Sequence, residues 1–297
     1  MSEATSQRVS RIHYSIRWRP QHLRLGQHRS RLRGAGLEFD QLRESTYGEG
    51  MRTINWAATA RRGGTPLLVN TYYEEKDITV MLLVDLSASM DFGSVRLSKK
   101  MLAAEVSASL VYSALLSHDR VGLLGFSSKV ETYLPPRRVR GYQQVIPEAI
   151  LHDAYDRTSA DWITATAILE ERLKWPALIF LFSDFLTDDV PHLSQALSRL
   201  QGRHDVVALI ITDPREEEFP SGYARMAMRD LETGQIAMYD FSANNRHIMT
   251  VAARARQHQL QQTFAHVGIA SVTVTPSSDY VQDITRLFLG HRRRTKG

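Results

Sequence analysis

The chain contains no cysteine. Disulfides, zinc–thiolate centres and thiol nucleophiles are therefore excluded at the outset. Long apolar runs are also missing. No stretch approaches the ~20 residues that a membrane-spanning helix needs, and the N-terminal segment mixes arginine with polar residues where a secretory leader would be apolar. A cytoplasmic address is the expectation. Three familiar catalytic signatures are absent too: a Gly-x-x-x-x-Gly-Lys loop, a His-Glu-x-x-His pair and a Gly-x-Ser-x-Gly elbow.

What is present is a chain of 297 residues, 43% hydrophobic and 23% charged, long enough for one large domain with a smaller companion. Its net charge of +5 is unevenly spread. The first 33 residues carry eight arginines against one glutamate, and Arg292, Arg293, Arg294 and Lys296 crowd the last seven. The body between them is consequently acidic, at about −6. Residues 1–34 read as a basic arm and residues 291–297 as a basic tail. Such ends can hold nucleic acid, anionic lipid or an acidic partner; solvated arms are the plainer reading. Arg17-Trp18-Arg19 mixes an aromatic with cations as stacking surfaces do, and the competing reading packs Trp18 on the folded body.

Residues 35–77 hold short segments broken by Gly48, Gly50, Gly63 and Gly64, and they predict a strand-rich flanking element. From 78 the pattern changes. Ile78 to Val84 is almost continuously apolar, as in a strand buried on both faces. Helical spacing of Met101, Leu102, Val106, Leu110, Val111 and Leu115 predicts a helix from Ser94 to about Ser117. Strands follow at Val121–Phe126, Val130–Leu134, Ala177–Phe182, Val206–Ile211 and Ala270–Val274. Helices are expected near 142–152, 163–173, 190–200, 249–265 and 280–289. Residues 224–228 and 235–239 around Leu231-Glu-Thr-Gly234 predict a hairpin insert. Alternating strands and helices over 78–290 imply an α/β domain with an open, mainly parallel sheet covered on both faces. Ligands of such sheets sit at the carboxyl ends of the strands.

The first buried strand ends in Val84-Asp85-Leu86-Ser87-Ala88-Ser89. In extended chain, residues two apart point the same way, so Asp85, Ser87 and Ser89 can converge, with the departing loop adjusting the last. The Ala177 strand ends in Ser183-Asp184 and brings a second carboxylate to the same edge. Arg157-Thr158-Ser159-Ala160-Asp161 offers a hydroxyl; Thr158 is the first choice, with Ser159, Thr164 or water as alternatives. Two carboxylates with neutral hydroxyls suit a hard divalent cation, Mg²⁺ first and Mn²⁺ or Ca²⁺ next. With no histidine or thiolate in the set, Zn²⁺ and Cu²⁺ fit poorly. Without an ion, one of two facing carboxylates should titrate high.

These residues resemble the metal-ion-dependent adhesion site of von Willebrand factor A domains. More narrowly, the chain is similar to the bacterial domain-of-unknown-function family 58 over roughly residues 35–290. Arg43-Glu-x-x-x-Gly48-Glu49-x-x-Arg52-x-Ile54-x-Trp56, Thr59-Ala60-Arg61, Asp119-Arg120-Val121-Gly122, Asp213-Pro214-Arg215-Glu216 and Asp230-Leu-Glu232-Thr-Gly234 carry that resemblance. The chain departs from the family pattern at Ser45, at Gly48-Glu49 and across 157–161. The resemblance implies a von Willebrand factor A-like fold whose metal seeks one further carboxylate from a protein partner. It also implies work beside a MoxR-type AAA+ ATPase, as an adaptor or co-chaperone in assembly or maturation of protein complexes. Family members often carry membrane helices before this region, and the sequence reads as a variant without them.

Two other function classes compete with a non-catalytic module. A Mg²⁺-dependent phosphotransfer or hydrolytic enzyme would also place a carboxylate at a strand end, although the haloacid dehalogenase arrangement needs a second Asp where this chain has Ser87. Nucleic-acid binding would use the basic arms. Arg43, Arg52, Trp56 and Arg61 read chiefly as a structural clamp with Trp56 supplying buried area, and secondarily as a docking surface. Glu216, Glu217 and Glu218 read as a solvated charge run.

Overall fold

The computed structural model describes residues 37–45, 51, 54–74, 78–95, 97–152, 159–187, 189–217, 225–229 and 236–294. They fall into two compact units, divided after residue 77. In the smaller, β1 (Leu37–Glu44) pairs antiparallel with β2 (Leu68–Glu74). Between them lies α1 (Trp56–Arg61), which the side chain of Asn55 caps by accepting from the Ala58 amide. The only side chain that α1 buries is Thr59, whose Oγ1 accepts from the Leu68 amide at 3.0 Å. This short helix went unread in the sequence because glycines surround it. The buried area expected from Trp56 is not there, since the indole is 57% exposed.

The larger unit is built on β3 (Thr79–Asp85), and its side chains divide cleanly between two helical layers. Val80, Leu82 and Val84 pack with α2 (Lys99–Leu116), α3 (Tyr142–Leu151) and the last helix. Met81 and Leu83 pack with α4 (Trp162–Arg172) and α5 (Val190–Arg203) on the opposite face. An alternating strand that is apolar at every position can only sit between two such layers. The remaining strands of this sheet are β4 (Arg120–Phe126), β5 (Val130–Arg137), β6 (Leu178–Ser183), β7 (Asp205–Ile211) and β10 (Ala270–Val274). Across the sheet the order is β10-β7-β6-β3-β4-β5, parallel throughout except for β5.

The fold is thus an α/β, von Willebrand factor A-like open sheet with helices on both faces. Between β3 and β6 the chain reverses the direction in which it adds strands, which makes their carboxyl ends a topological switch point. The short α6 (Pro214–Glu217) follows β7. The hairpin insert forms from β8 (Arg225–Arg229) and β9 (Ile236–Asp240); its turn lies outside the described residues. Then come α7 (Ala243–Val267) and, after β10, α8 (Tyr280–Arg294).

Several boundaries differ from expectation: the helix expected from 249 already starts at Ala243, and the strand expected to end at Leu134 runs to Arg137. The helix expected from Ser94 starts at Lys99, because Ser98 caps it by accepting from the Met101 amide and Ala88–Asp91 forms a separate 3₁₀ turn. The last helix runs past Leu289 and takes Arg292, Arg293 and Arg294 out of the expected tail. At the sheet's edge, Leu134 pairs with Leu123 and Arg137 with Val121, so Pro135 and Pro136 together face Gly122 in a bulge. Among the described residues, no helix is long and apolar enough to cross a membrane.

Candidate metal centre

Asp85 is the last residue of β3 and is 2% exposed. Its Oδ1 accepts from the Ser87 amide at 2.8 Å, a turn that stops the strand and folds the chain back over the carboxylate. Ser87 keeps an extended backbone, and Ser89 lies in the 3₁₀ turn. The three residues converge through this turn, with Ser89 brought round by the loop. Ser87 Oγ and Ser89 Oγ stand 3.1 Å apart.

Ser183, at the end of β6, donates its hydroxyl to Asp85 Oδ2 at 2.6 Å and accepts from the Phe185 amide at 2.8 Å. Sequence reasoning gave Ser183 no role; its only signal was its place beside Asp184. Phe185 has φ 53, a left-handed conformation that a bulky residue adopts at a cost. Its ring is held by stacking on Trp162 (centroids 5.1 Å, 15°) and by the edge of Phe264. Packing thus fixes the backbone that carries Asp184.

Asp184 is 5% exposed. Its Oδ1 accepts from the Leu186 amide at 3.0 Å, and its Oδ2 accepts from Lys99 Nζ at 2.6 Å. Lys99, 1% exposed, also donates to Glu216 Oε1 and lies 5.9 Å from the centre of the Phe92 ring. Burial works against the ammonium, but Asp184 and then Glu216 outweigh it and raise its pKa above the ordinary lysine value. Glu216 is therefore no solvated charge: its carboxyl is pushed up by burial despite Lys99. The sequence did carry a signal for Lys99. Two lysines at a helix N-terminus oppose the helix dipole, which favours anionic groups beside them without indicating which.

Asp85 has its pKa raised from 3.8 to about 6, first by burial and then by the charge of Asp184, against the hydrogen bonds from Ser183 and Ser87. The carboxylate expected to titrate high is therefore this one. Above it opens a cleft lined by Ser87, Ser159, Trp162, Phe185, Thr187 and Arg256, among others. Ser159 is placed there by the bond from the Asp161 amide to the Ser127 carbonyl at the end of β4. Thr158 lies outside the described residues, as does Arg52. The Thr164 amide donates to the side chain of Asp161, which caps the helix, and Thr164 is not part of the cleft lining. Arg43 is on β1 and Arg61 is exposed on α1, in the other unit.

Among the described residues no set of three or more His, Cys, Asp and Glu side chains gathers as a metal centre. An ion here would need hydroxyls beside its two carboxylates. In an octahedron with ligands at about 2.0–2.1 Å, neighbouring oxygens stand about 2.9 Å apart. The spacing of Ser87 Oγ and Ser89 Oγ suits one such edge. Asp85 accepts from the Ser87 amide through Oδ1 and from the Ser183 hydroxyl through Oδ2, and a carboxylate with about four lone-pair sites still has room for a cation. The residues fit a hard cation.

Comparison with known proteins agrees with this architecture. A family model described as "Protein of unknown function DUF58" matches residues 41–260. An uncharacterized protein of Mycobacterium tuberculosis (strain ATCC 25618 / H37Rv) is 27% identical over 271 residues, 91% of this chain and 84% of that protein. The crystal structure of an aerotolerance-related membrane protein from Bacteroides fragilis NCTC 9343 matches with a TM-score of 0.50 at 15% identity, over 72% of this chain and 99% of the other. That likeness concerns the fold alone. The SpRpn10 VWA domain gives a TM-score of 0.41 at 14% identity, covering 71% and 94%. With the family model spanning well over half of its length, the chain belongs to DUF58, a family of proteins of unknown function.

Proposed function

We propose that the protein is a non-catalytic, cation-dependent protein-binding module. Asp85, Ser87, Ser89 and Asp184, with a hydroxyl from the Thr158–Ser159 segment, hold one hard divalent ion, Mg²⁺ before Mn²⁺ or Ca²⁺. The observation that carries this reading is the pair of serine hydroxyls 3.1 Å apart beside a buried carboxylate at the switch point. When bound, the ion supplies positive field to an incoming anionic oxygen. The chain's own residues do the rest. Ser183 and the Ser87 amide orient Asp85, the Phe185 turn presents Asp184, and Arg256 sets a second positive charge on the cleft wall. The partner is a protein offering a carboxylate. The family resemblance points to a MoxR-type AAA+ ATPase and to assembly or maturation of protein complexes. Ser87, standing where a haloacid dehalogenase-like enzyme needs its second aspartate, favours binding over phosphotransfer.

Calorimetric titration with Mg²⁺ and capture of the partner with and without chelator test the proposal together. Saturable binding of one ion and chelator-sensitive capture are expected; a protein that binds no Mg²⁺ would refute it. The site must also be pH-sensitive. An ion needs Asp85 ionised, and Asp85 takes up a proton as pH falls through about 6. Apparent Mg²⁺ affinity should be level above pH 7 and fall by up to about tenfold per unit below pH 6. A titration series from pH 5 to 8 that stayed flat would remove Asp85 from the site.

A further inference from the structure

Both lysines that open α2 are buried, but their surroundings differ. Lys100 donates to the His152 carbonyl at 3.0 Å and has Asp91 Oδ1 at 3.9 Å, which ties the helix start to the end of α3. Lys99 instead points its ammonium between two carboxylates from other elements, Asp184 after β6 and Glu216 on α6. It is held from both sides. Asp184 is fixed by the Leu186 amide, and Glu216 Oε2 accepts from the Asp213 amide at 3.2 Å. Asp213 in turn accepts from the Ser94 amide at 2.7 Å and from the Ser94 hydroxyl, which closes the network back onto the segment just before α2. The ammonium is thus anchored beside Asp184 by Glu216, Asp213 and Ser94, none of which lines the cleft.

We propose that Lys99 is a positioning residue that sets the charge of the centre. It takes up part of the negative charge of Asp184, so the centre holds its divalent ion less tightly and leaves that ion short of anionic oxygen. This inference rests on the cation-binding reading above. A centre with two carboxylates and no ammonium neutralises a divalent ion by itself. With an ammonium bonded to one carboxylate, a cation in the centre retains positive field, and a carboxylate from outside is welcome. Lys99 thereby exchanges affinity for the ion against affinity for the partner. One unit charge at a few ångströms, at an effective dielectric of about 20, would alone change ion affinity by about a thousandfold; the Glu216 carboxylate paired with the same ammonium offsets most of this and leaves a change on the order of tenfold or more.

Calorimetric titration of the full chain with MgCl₂ at pH 8 tests this, with wild type beside Lys99→Met and the double variant Lys99→Met/Glu216→Gln. The double variant removes the lone carboxylate left facing Asp184, so it keeps the measurement available if the single variant fails to fold. Circular dichroism establishes which variants are folded. Mg²⁺ should bind about tenfold or more tightly to Lys99→Met, and more tightly than wild type, by a smaller factor, to the double variant. The double variant gives the decisive comparison, because Glu216 can no longer turn to the ion as an extra carboxylate ligand there, and tighter binding in it is not produced by a merely structural lysine. Unchanged or weaker binding in the folded variants overturns the role of Lys99 and leaves the cation site standing. Absence of Mg²⁺ binding in wild type overturns the cation site and this inference with it.

Discussion

Asp85→Asn should abolish Mg²⁺ binding and at the same time make the metal-free protein more stable above pH 6. The substitution keeps the side chain's shape and an acceptor for the Ser87 amide, so the turn that closes β3 survives; the Ser183 hydroxyl, which donates to Oδ2 in wild type, turns to accept from the asparagine amide. It removes the negative charge that a hard cation requires, and affinity should drop by a factor of about 100 or more. The stability gain follows from the environment of the wild-type carboxyl. Its pKa is raised from 3.8 to about 6 by burial and by Asp184. The folded state therefore holds this proton more tightly than the unfolded chain does. The stabilisation this brings is complete below pH ~4 and is lost as pH rises through 6. Above that, wild type carries a penalty on the order of 1–3 kcal/mol that asparagine avoids. Thermal unfolding in chelator should show the two proteins close at pH 4 and the variant several degrees higher at pH 8. A variant that is less stable at pH 8 would mean that Asp85 is a structural anchor and not a strained ligand.

Gly122→Ala should cost about 3 kcal/mol or more, at the upper end of overpacking effects. The bulge lays the backbone of β5 across this glycine. A Cβ there would stand 2.7 Å from the Leu134 carbonyl oxygen, 2.8 Å from the Pro136 nitrogen and 2.9 Å from Met81 Sδ. The sulfur could give way, but two strand backbones cannot without opening the β4–β5 ladder. Gly202, in α5, supplies the control, because a Cβ there meets nothing within 4 Å. Gly202→Ala should stabilise by roughly 0.5–1 kcal/mol through lost freedom of the unfolded chain. Urea midpoints that moved alike for the two variants would refute the steric account.

The arrangement of β3 was legible because an unbroken apolar strand has only one place in an α/β domain, its middle. That Asp85, Ser87, Ser89 and Asp184 come to one edge of the sheet was legible because strand ends converge at a switch point. What escaped was long-range and polar. Lys99 meets Asp184 across 85 positions and Glu216 across 117. In sequence these residues look like the wet start of a helix and a run of surface acids. Periodicity reports which face of an element is apolar. It cannot report which charged side chain folds inward to meet another, because that depends on loop paths that no local pattern encodes. Phe185 escaped for a related reason. The left-handed backbone at this bulky residue goes with the stacking of Trp162 and the edge contact of Phe264, both remote in sequence.

The two prolines that face Gly122 have a wider consequence. β5 is the outermost strand on its side, and Pro135 and Pro136 have no amide hydrogen to offer a seventh neighbour. The kink they make also turns the margin away from the plane in which another chain could hydrogen-bond to it. At these two positions the flank offers lateral growth no amide donor, and a peptide seeking to extend the ladder there meets a break in it.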